Sequence, residues 1–408
     1  MKLEQIKALD KKHIAQTFSR YDLAFAKARG AQVWDTEGKR YLDLLGGVAV
    51  NGLGLDPAVQ KAALVQMKAW IHSSNLYYSG PQALLARELT ALSFADRVFF
   101  ANTGAEAIEV SIKLARRWGH LRLKGAHEII ALKGSFHGRT TGALAATGQA
   151  RFHQGLGPLL PGIKFAPPND LKAMARLMSG KTCAVLAEPV MGEGGIHVLD
   201  KAYLKGLRAL CDRRHALLIL DEIQTGLGRT GKLFAYQHYG ITPDLMPLGK
   251  SLGGGFPLSV VLATEEAAAV FGPGDHGTTL GGNPVACAAG LALLKAVQAR
   301  ALPAHAAKLG QRMKAAFEAA RRQGAPILAV RGLGLMLGVQ LSGPARPVVD
   351  ALQARGLLAN ATAGDVLRLL PPLNITQAQA DRAVAIILST LKDPAVAAGL
   401  NPQPARNA

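Results

Sequence analysis

Acidic residues are scarce in this 408-residue chain: 28 Asp and Glu face 47 Lys and Arg, a formal charge of +19 with neutral histidines. Aromatic residues make up only 5%, and basic runs never exceed two residues, as in Lys11-Lys12, Arg116-Arg117, Arg213-Arg214 and Arg321-Arg322. A nucleic-acid surface needs clustered cations with interleaved aromatics. The spread-out charge instead reads as a solvated surface able to draw in anionic small molecules, and no nucleic-acid partner is expected. Long apolar runs are missing too: Ala216-Leu217-Leu218-Ile219-Leu220 stops at Asp221-Glu222, far short of the roughly 20 residues a membrane span requires. No membrane association is expected. Three cysteines, Cys183, Cys211 and Cys287, show no Cys-x-x-Cys spacing and fit reduced thiols inside a cell; no metal site is expected. Met1-Lys2-Leu3-Glu4-Gln5-Ile6-Lys7 contains no apolar signal region, so a cytoplasmic location is expected. What the chain does have is apolar material, 49% of residues, enough for a large packed core and too much for a disordered or fibrous chain.

No repeat period and no Ser- or Pro-rich linker divides the sequence. Its middle alternates short apolar runs with helical patterns: strands at 97–101, 128–132, 183–187 and 217–220, and helices at 105–118 and 201–214. That alternation predicts an α/β fold with a mostly parallel sheet covered by helices. In the first helix Ile108, Ile112 and Ala115 recur at the spacing of one packed face. Val33-Trp34-Asp35 and Arg40-Tyr41-Leu42-Asp43 flank Thr36-Glu37-Gly38-Lys39 as a hairpin would. Beyond about residue 295 the pattern changes to a helix at 304–322, a strand-like run at 335–341, a helix near 348–355 and a strand-like run at 366–370. Residues 1–50 are expected to contribute to a small α+β domain completed by 296–400, with a large domain at 51–295 and a flexible tail at 401–408.

Asp221 ends an apolar run that only a buried strand would tolerate, and the carboxyl ends of parallel strands are where ligands sit in open α/β sheets; the plainer alternative is a helix cap. A nucleotide-binding loop ending in Gly249-Lys250-Ser251 fails on spacing, since position 244 is Asp where the loop needs Gly. Lys250 instead sits in a Gly-rich, otherwise apolar segment. Desolvation lowers the pKa of an ammonium, and a neutral amine can condense with an aldehyde; a surface lysine in a loop is the alternative. Asn102-Thr103-Gly104-Ala105-Glu106-Ala107, between a strand and a helix, offers a hydroxyl and free N–H groups to a phosphate, though an ordinary capped helix looks similar. Lys133-Gly134-Ser135-Phe136-His137-Gly138-Arg139 brings an aromatic face beside a guanidinium.

A lysine for an aldehyde, an acid for a pyridine nitrogen, a phosphate cradle and an aromatic ring together describe a pyridoxal 5'-phosphate (PLP) site. Here the sequence resembles the class III aminotransferases of PLP fold type I, and among them the acetylornithine aminotransferases. The resemblance rests on 33–43, 102–107, Phe136-His137-Gly138-Arg139 and Glu188-Pro189-Val190-Met191-Gly192-Glu193-Gly194-Gly195. It continues through Asp221-Glu222-Ile223-Gln224-Thr225-Gly226, Lys250, which lies 29 residues after Asp221, His276-Gly277-Thr278-Thr279-Leu280-Gly281-Gly282-Asn283-Pro284, and 367–373. It implies a seven-stranded-type sheet in the large, PLP-binding domain. By it, Lys250 would carry the cofactor and then move the proton, Asp221 would pair with the pyridinium, Gln224 would bond the 3' oxygen and Phe136 would stack on the ring. Thr103, Gly104 and Ala105 would hold the phosphate, joined by Thr279 of a second subunit, which implies a homodimer with shared sites. Arg139 would bind the donor's α-carboxylate, Arg368 the carboxylate of the 2-oxo acid, and Glu193 would mask Arg368 in turn; Glu188 is also placed among the substrate-binding residues.

One departure stands out. Many relatives carry Asn-x-x-Gly-His-x-His-Pro, whereas this chain has Asn51-Gly52-Leu53-Gly54-Leu55-Asp56-Pro57, one residue shorter and without either histidine. Nearby, Gly46 and Gly47 fall in a stretch that faces substrate in relatives, where small residues leave room for an acylated amine. The resemblance thus implies transfer of the δ-amino group of N-acetylornithine to 2-oxoglutarate, a step of arginine biosynthesis. Ornithine, 4-aminobutyrate or succinyl-diaminopimelate as donor remain alternatives, as does a basic nucleic-acid-binding or regulatory protein on a retired enzyme fold.

Overall fold

Seven short, almost wholly apolar strands form the centre of the protein. They belong to a computed structural model that describes residues 1–400; the tail expected at 401–408 lies outside the described residues. Across the sheet the order is Arg97–Ala101, Ser259–Ala263, Leu245–Leu248, Leu217–Leu220, Thr182–Ala187, Glu128–Leu132 and Ile163–Ala166. Ser259–Ala263 runs antiparallel to both of its neighbours, and the other pairings are parallel. The sheet is apolar along its centre because both its faces are covered. Leu217 and Ile219 pack with Ile108, Ile112 and Ala115 of the helix Gly104–Arg122. Leu218 and Leu220 point the other way, onto Leu204 and Leu207 of the helix Lys201–Arg214. Each such fully buried leucine or isoleucine is worth about 1.5–3 kcal/mol relative to exposure.

The expected strands and helices of this region are present, with ends moved by a few residues: the first helix begins at Gly104 and extends to Arg122. Its start is set by Thr103, whose hydroxyl accepts from the Glu106 N–H at 3.2 Å, while the Glu106 carboxylate accepts from the Asn102 N–H at 2.7 Å.

The expected hairpin forms from Gln32–Asp35 and Arg40–Asp43, its turn held by Asp35 accepting from the N–H groups of Glu37 and Lys39. Leu357–Leu358 joins it in parallel, beside Leu42 and Asp43, so the N-terminal hairpin is completed by residues more than 300 positions later. A further antiparallel sheet runs in the order Ile327–Leu333, Met336–Leu341, Val366–Leu369, Asn360–Thr362, with the helix Leu302–Arg322 packed on its first strand. No single helix among the described residues is long and apolar enough to cross a membrane.

The shortened stretch 51–57 is held tightly. The Asp56 side chain caps the helix Pro57–Ala69 by accepting from the Ala58 N–H, and forms an ion pair with Arg300 at 2.6 Å. Gly54 has φ +60°, and a Cβ there would stand 1.9 Å from the Gly30 carbonyl oxygen. Gly54→Ala is therefore expected to force the loop off the hairpin and to destabilise the protein by about 1–3 kcal/mol. Thermal unfolding checks this, and an unchanged midpoint would contradict the close approach.

Candidate active site

Five strand ends converge on one place. Asn102–Ala105 follow Ala101, Phe136 and His137 follow Leu132, Glu188 follows Ala187, Asp221 and Gln224 follow Leu220, and Lys250 follows Leu248. A strand buried on both faces must stay apolar, so the first positions beyond its carboxyl end are where polar groups can enter the interior. The result is a cavity of about 190 Å³ whose lining includes Ala105, Phe136, His137, Asp221, Gln224 and Lys250.

Lys250 opens a short 3-10 turn with φ +45°, a left-handed value that a side-chain-bearing residue adopts only when its surroundings impose it. Among the described residues its amine makes no ion pair within 4.0 Å. Burial pushes its pKa below the ordinary lysine value, a shift that Arg368 reinforces and that Glu193 and Asp221 offset only in part. A desolvated, unpaired amine is both nucleophile and base.

Asp221 is buried, with one carboxylate oxygen accepting from the Ile223 N–H at 3.0 Å and the other 2.7 Å from Nδ1 of His137. His137 is the residue that sequence reasoning passed over. It stood in a quoted motif without a task, and its contact with Asp221 joins positions 84 residues apart, so no local spacing signals it. Its Nε2 is buried without a partner.

Glu188, expected at the substrate, lines the cavity and also ties its loops together. Its two oxygens accept from the N–H groups of Phe136 and Gly192 at 2.9 and 3.0 Å, so it fastens the Phe136 loop to the Glu193 loop. Burial pushes its carboxyl up to about 7. Gln224 lies so close to Gly192 that a Cβ there would stand 2.3 Å from Oε1, an atom buried without a hydrogen-bond partner.

Glu193, partly exposed, and the buried Arg368 form an ion pair at the edge of the cavity. Burial would raise the Glu193 carboxyl, but the Arg368 charge and hydrogen bond outweigh it and hold the pKa below the ordinary value. Arg139 is exposed, its guanidinium carbon 4.1 Å from the Phe152 ring centre and 5.7 Å from that of Phe136, and it makes no hydrogen bond among the described residues. Thr279 is exposed and away from this chain's cavity. Asn75 holds its loop by donating to the carbonyls of Thr278 and Gly281 at 3.0 Å each, and Asn102 donates to the Thr278 hydroxyl. Gly46 and Gly47 begin a left-handed turn in which four successive residues, through Val48 and Ala49, have φ of +57°, +62°, +59° and +66°.

A family model, Aminotransferase class-III, matches residues 14–391. The chain belongs to that family. It is 46% identical to the acetylornithine aminotransferase of Caldanaerobacter subterraneus subsp. tengcongensis over 94% of this chain and 98% of that protein. Its fold matches the ornithine aminotransferase of Toxoplasma gondii with TM-score 0.93 at 32% identity, covering 96% of this chain and 95% of that one. The acetylornithine aminotransferase of Elizabethkingia anophelis matches with TM-score 0.87 at 34% identity, covering 96% and 100%. Class-III aminotransferases are PLP-dependent transaminases, with the large parallel-rich sheet and smaller α+β part described above.

The residues present fit that cofactor. The N–H groups of Gly104 and Ala105, at the open end of a 19-residue helix, donate to nothing among the described residues, as an anion site requires. The buried Gln224 oxygen lacks a partner, and the Lys250 amine is unpaired.

The half-buried lysine makes a stability prediction in the cofactor-free protein. Its folded pKa lies below the unfolded value of 10.5, so holding the proton costs free energy in the folded state and none in the solvated unfolded chain. That penalty is full below the folded pKa and disappears as pH rises through it towards 10.5. Lys250→Met is therefore expected to raise the unfolding midpoint at pH 7 and to lose that advantage near pH 10. Calorimetric scans across this range check it; a gain that grew with pH would show that the amine is not desolvated.

Proposed function

We propose that this transaminase moves the δ-amino group of N-acetylornithine to 2-oxoglutarate, using PLP held at the Lys250 cavity of a homodimer. The observation that carries the reading is the Glu193–Arg368 ion pair, its arginine buried, beside an unpaired, desolvated lysine. One pocket must accept an amino donor and then a dicarboxylate. An arginine masked by its own glutamate serves both, because the guanidinium is neutralised when no acceptor carboxylate is present and released when one arrives.

In this reading the N–H groups of Gly104 and Ala105, with the Thr103 hydroxyl, hold the phosphate, and Thr279 of one subunit completes the cradle of the other. Asp221 carries the negative charge that keeps the pyridine nitrogen protonated, Gln224 bonds the 3' oxygen, and Phe136 covers a ring face. When bound, the cofactor supplies an aldehyde for the amino group and a ring that spreads the electron pair left on the substrate carbon. The Lys250 Nζ takes the proton from that carbon. Arg139, held against Phe152 yet free of hydrogen bonds, offers its fork to the donor's α-carboxylate.

The same proposal includes the division into an N-terminal segment 1–50, a large domain 51–295 and a small domain 296–400, supported by the pairing of Leu357–Leu358 with the N-terminal hairpin. It also includes work in the cytoplasm, supported by three unpaired, buried cysteines whose thiols burial pushes up to about 12.

The donor assignment is tested by a side-by-side assay with 2-oxoglutarate. Free ornithine brings a second ammonium at the α-nitrogen, costly to bury without a partner, where N-acetylornithine brings a neutral amide. The expected kcat/KM for N-acetylornithine exceeds that for ornithine by at least about tenfold, or about 1.4 kcal/mol. Equal or reversed values would replace the donor.

Sharing of the site is tested by mixing Lys250→Ala and Thr279→Ala subunits. If Thr279 acts in the partner's site, each mixed dimer contains one site built only from wild-type residues, and activity returns. No recovery despite proven exchange would remove Thr279 from the shared site.

A further inference from the structure

The strand Asn360–Thr362 lies antiparallel to Val366–Leu369, with Asn360 directly opposite Arg368 and Thr362 opposite Val366. Residues directly opposite in such a ladder carry their side chains on the same face, so the register itself brings the Asn360 amide to the Arg368 guanidinium. Arg368 is 1% exposed and its guanidinium donors are divided unequally. Nε donates to Asn360 Oδ1 at 3.1 Å; Nη1 serves Glu193, with the Gly192 carbonyl 3.5 Å away; Nη2 has no partner among the described residues. From the same strand, the Thr362 hydroxyl donates to the main-chain carbonyl of Glu193 at 2.8 Å.

A guanidinium can meet a carboxylate along two edges: side-on through Nε and Nη2, or end-on through Nη1 and Nη2. Because Asn360 occupies Nε, the side-on edge is closed, and departure of Glu193 frees the end-on pair alone. We propose that Asn360 is a positioning residue for the acceptor: it fixes the plane of Arg368 so that the 2-oxo acid's carboxylate docks end-on, and it keeps Glu193 from taking the side-on edge in a two-point pair through Nε and Nη2. Thr362 complements it by pinning the Glu193 main chain, so that unmasking is a rotation of the Glu193 side chain and needs no movement of its loop. Without the Asn360 oxygen, the buried Nε–H would be left without an acceptor. Its nearest remedy is to turn towards Glu193 and form the two-point pair, which would close the gate more firmly against the substrate.

This rests on the proposed acceptor role of Arg368, and the experiment separates the two. Holoenzymes carrying N360L, nearly isosteric, and N360S, smaller and polar, are compared with wild type and with R368Q. The readouts are steady-state kinetics, the rate of the isolated donor half-reaction, and calorimetric binding of glutarate, a dicarboxylate that cannot be transaminated. Both Asn360 variants are expected to raise the KM for 2-oxoglutarate and the Kd for glutarate by at least about tenfold, while kcat at saturating acceptor and the donor half-reaction stay within about twofold. In the double variant E193Q/N360L, glutarate affinity is expected to return towards the wild-type value, since the competing two-point pair has lost its charge. If R368Q leaves glutarate binding unchanged, the acceptor role of Arg368 falls, and this inference with it. If R368Q weakens binding while N360L and N360S do not, or if they lower kcat and the donor half-reaction together with acceptor affinity, the positioning role of Asn360 is overturned and the acceptor role of Arg368 stands.

Discussion

The cost of keeping an ammonium group out of water is the constraint around which this site is arranged. Lys250 is desolvated and unpaired, and the groups near it are disposed so that none neutralises it by direct contact: Asp221 faces His137, and Glu193 faces Arg368. Each potential counter-ion is already engaged with a partner of its own. In a medium of low dielectric, pairing of this kind decides which group stays reactive. Had either carboxylate been free, Coulomb attraction would have drawn the lysine into a stable ion pair and taken away the nucleophile.

The two halves of this arrangement arrive from distant parts of the chain, and a second buried cation links them. Arg229, a few residues beyond Gln224, is 2% exposed and reaches the main-chain carbonyls of Leu335 and Pro371, the latter in the segment that follows Arg368. No ion pair compensates it among the described residues, and burial pushes its pKa down to about 10. Five guanidinium donors in a rigid fork can satisfy several carbonyls at once, which suits arginine to this position better than lysine.

How much of this was legible in the sequence follows from how local each signal is. The strand Leu217–Leu220 and the helix Lys201–Arg214 have the bounds expected of them, because an apolar run closed by Asp-Glu and an amphipathic run closed by Arg-Arg-His carry their own limits. Leu245–Leu248 lies in the apolar segment ahead of Lys250, where no alternation marks a strand and Pro247 disfavours a central one; tertiary pairing with Val261 overrides that preference. The helix Pro284–Ala299 buries ten of its residues and has almost no polar face to reveal its period. At the site, the residues around the cavity were identified by motif. The His137–Asp221 contact, the fastening role of Glu188 and the Asn360–Arg368 register exist only through space, and residue type alone holds no record of them.

The left-handed turn at Gly46–Ala49 limits which residues could replace its two glycines. Replacing a small residue is usually a matter of side-chain volume, but here the backbone excludes the option before volume is considered. Any residue with a Cβ at position 46 or 47 would add about 1–2 kcal/mol of backbone strain to a segment in which Val48 and Ala49 already hold positive φ. At position 46 it would also press within 3.1 Å of the Leu370 carbonyl, two residues beyond Arg368. A change in the turn would thus be felt, through one peptide carbonyl, in the segment that carries Arg368, so the glycine at 46 and the placement of that arginine are coupled.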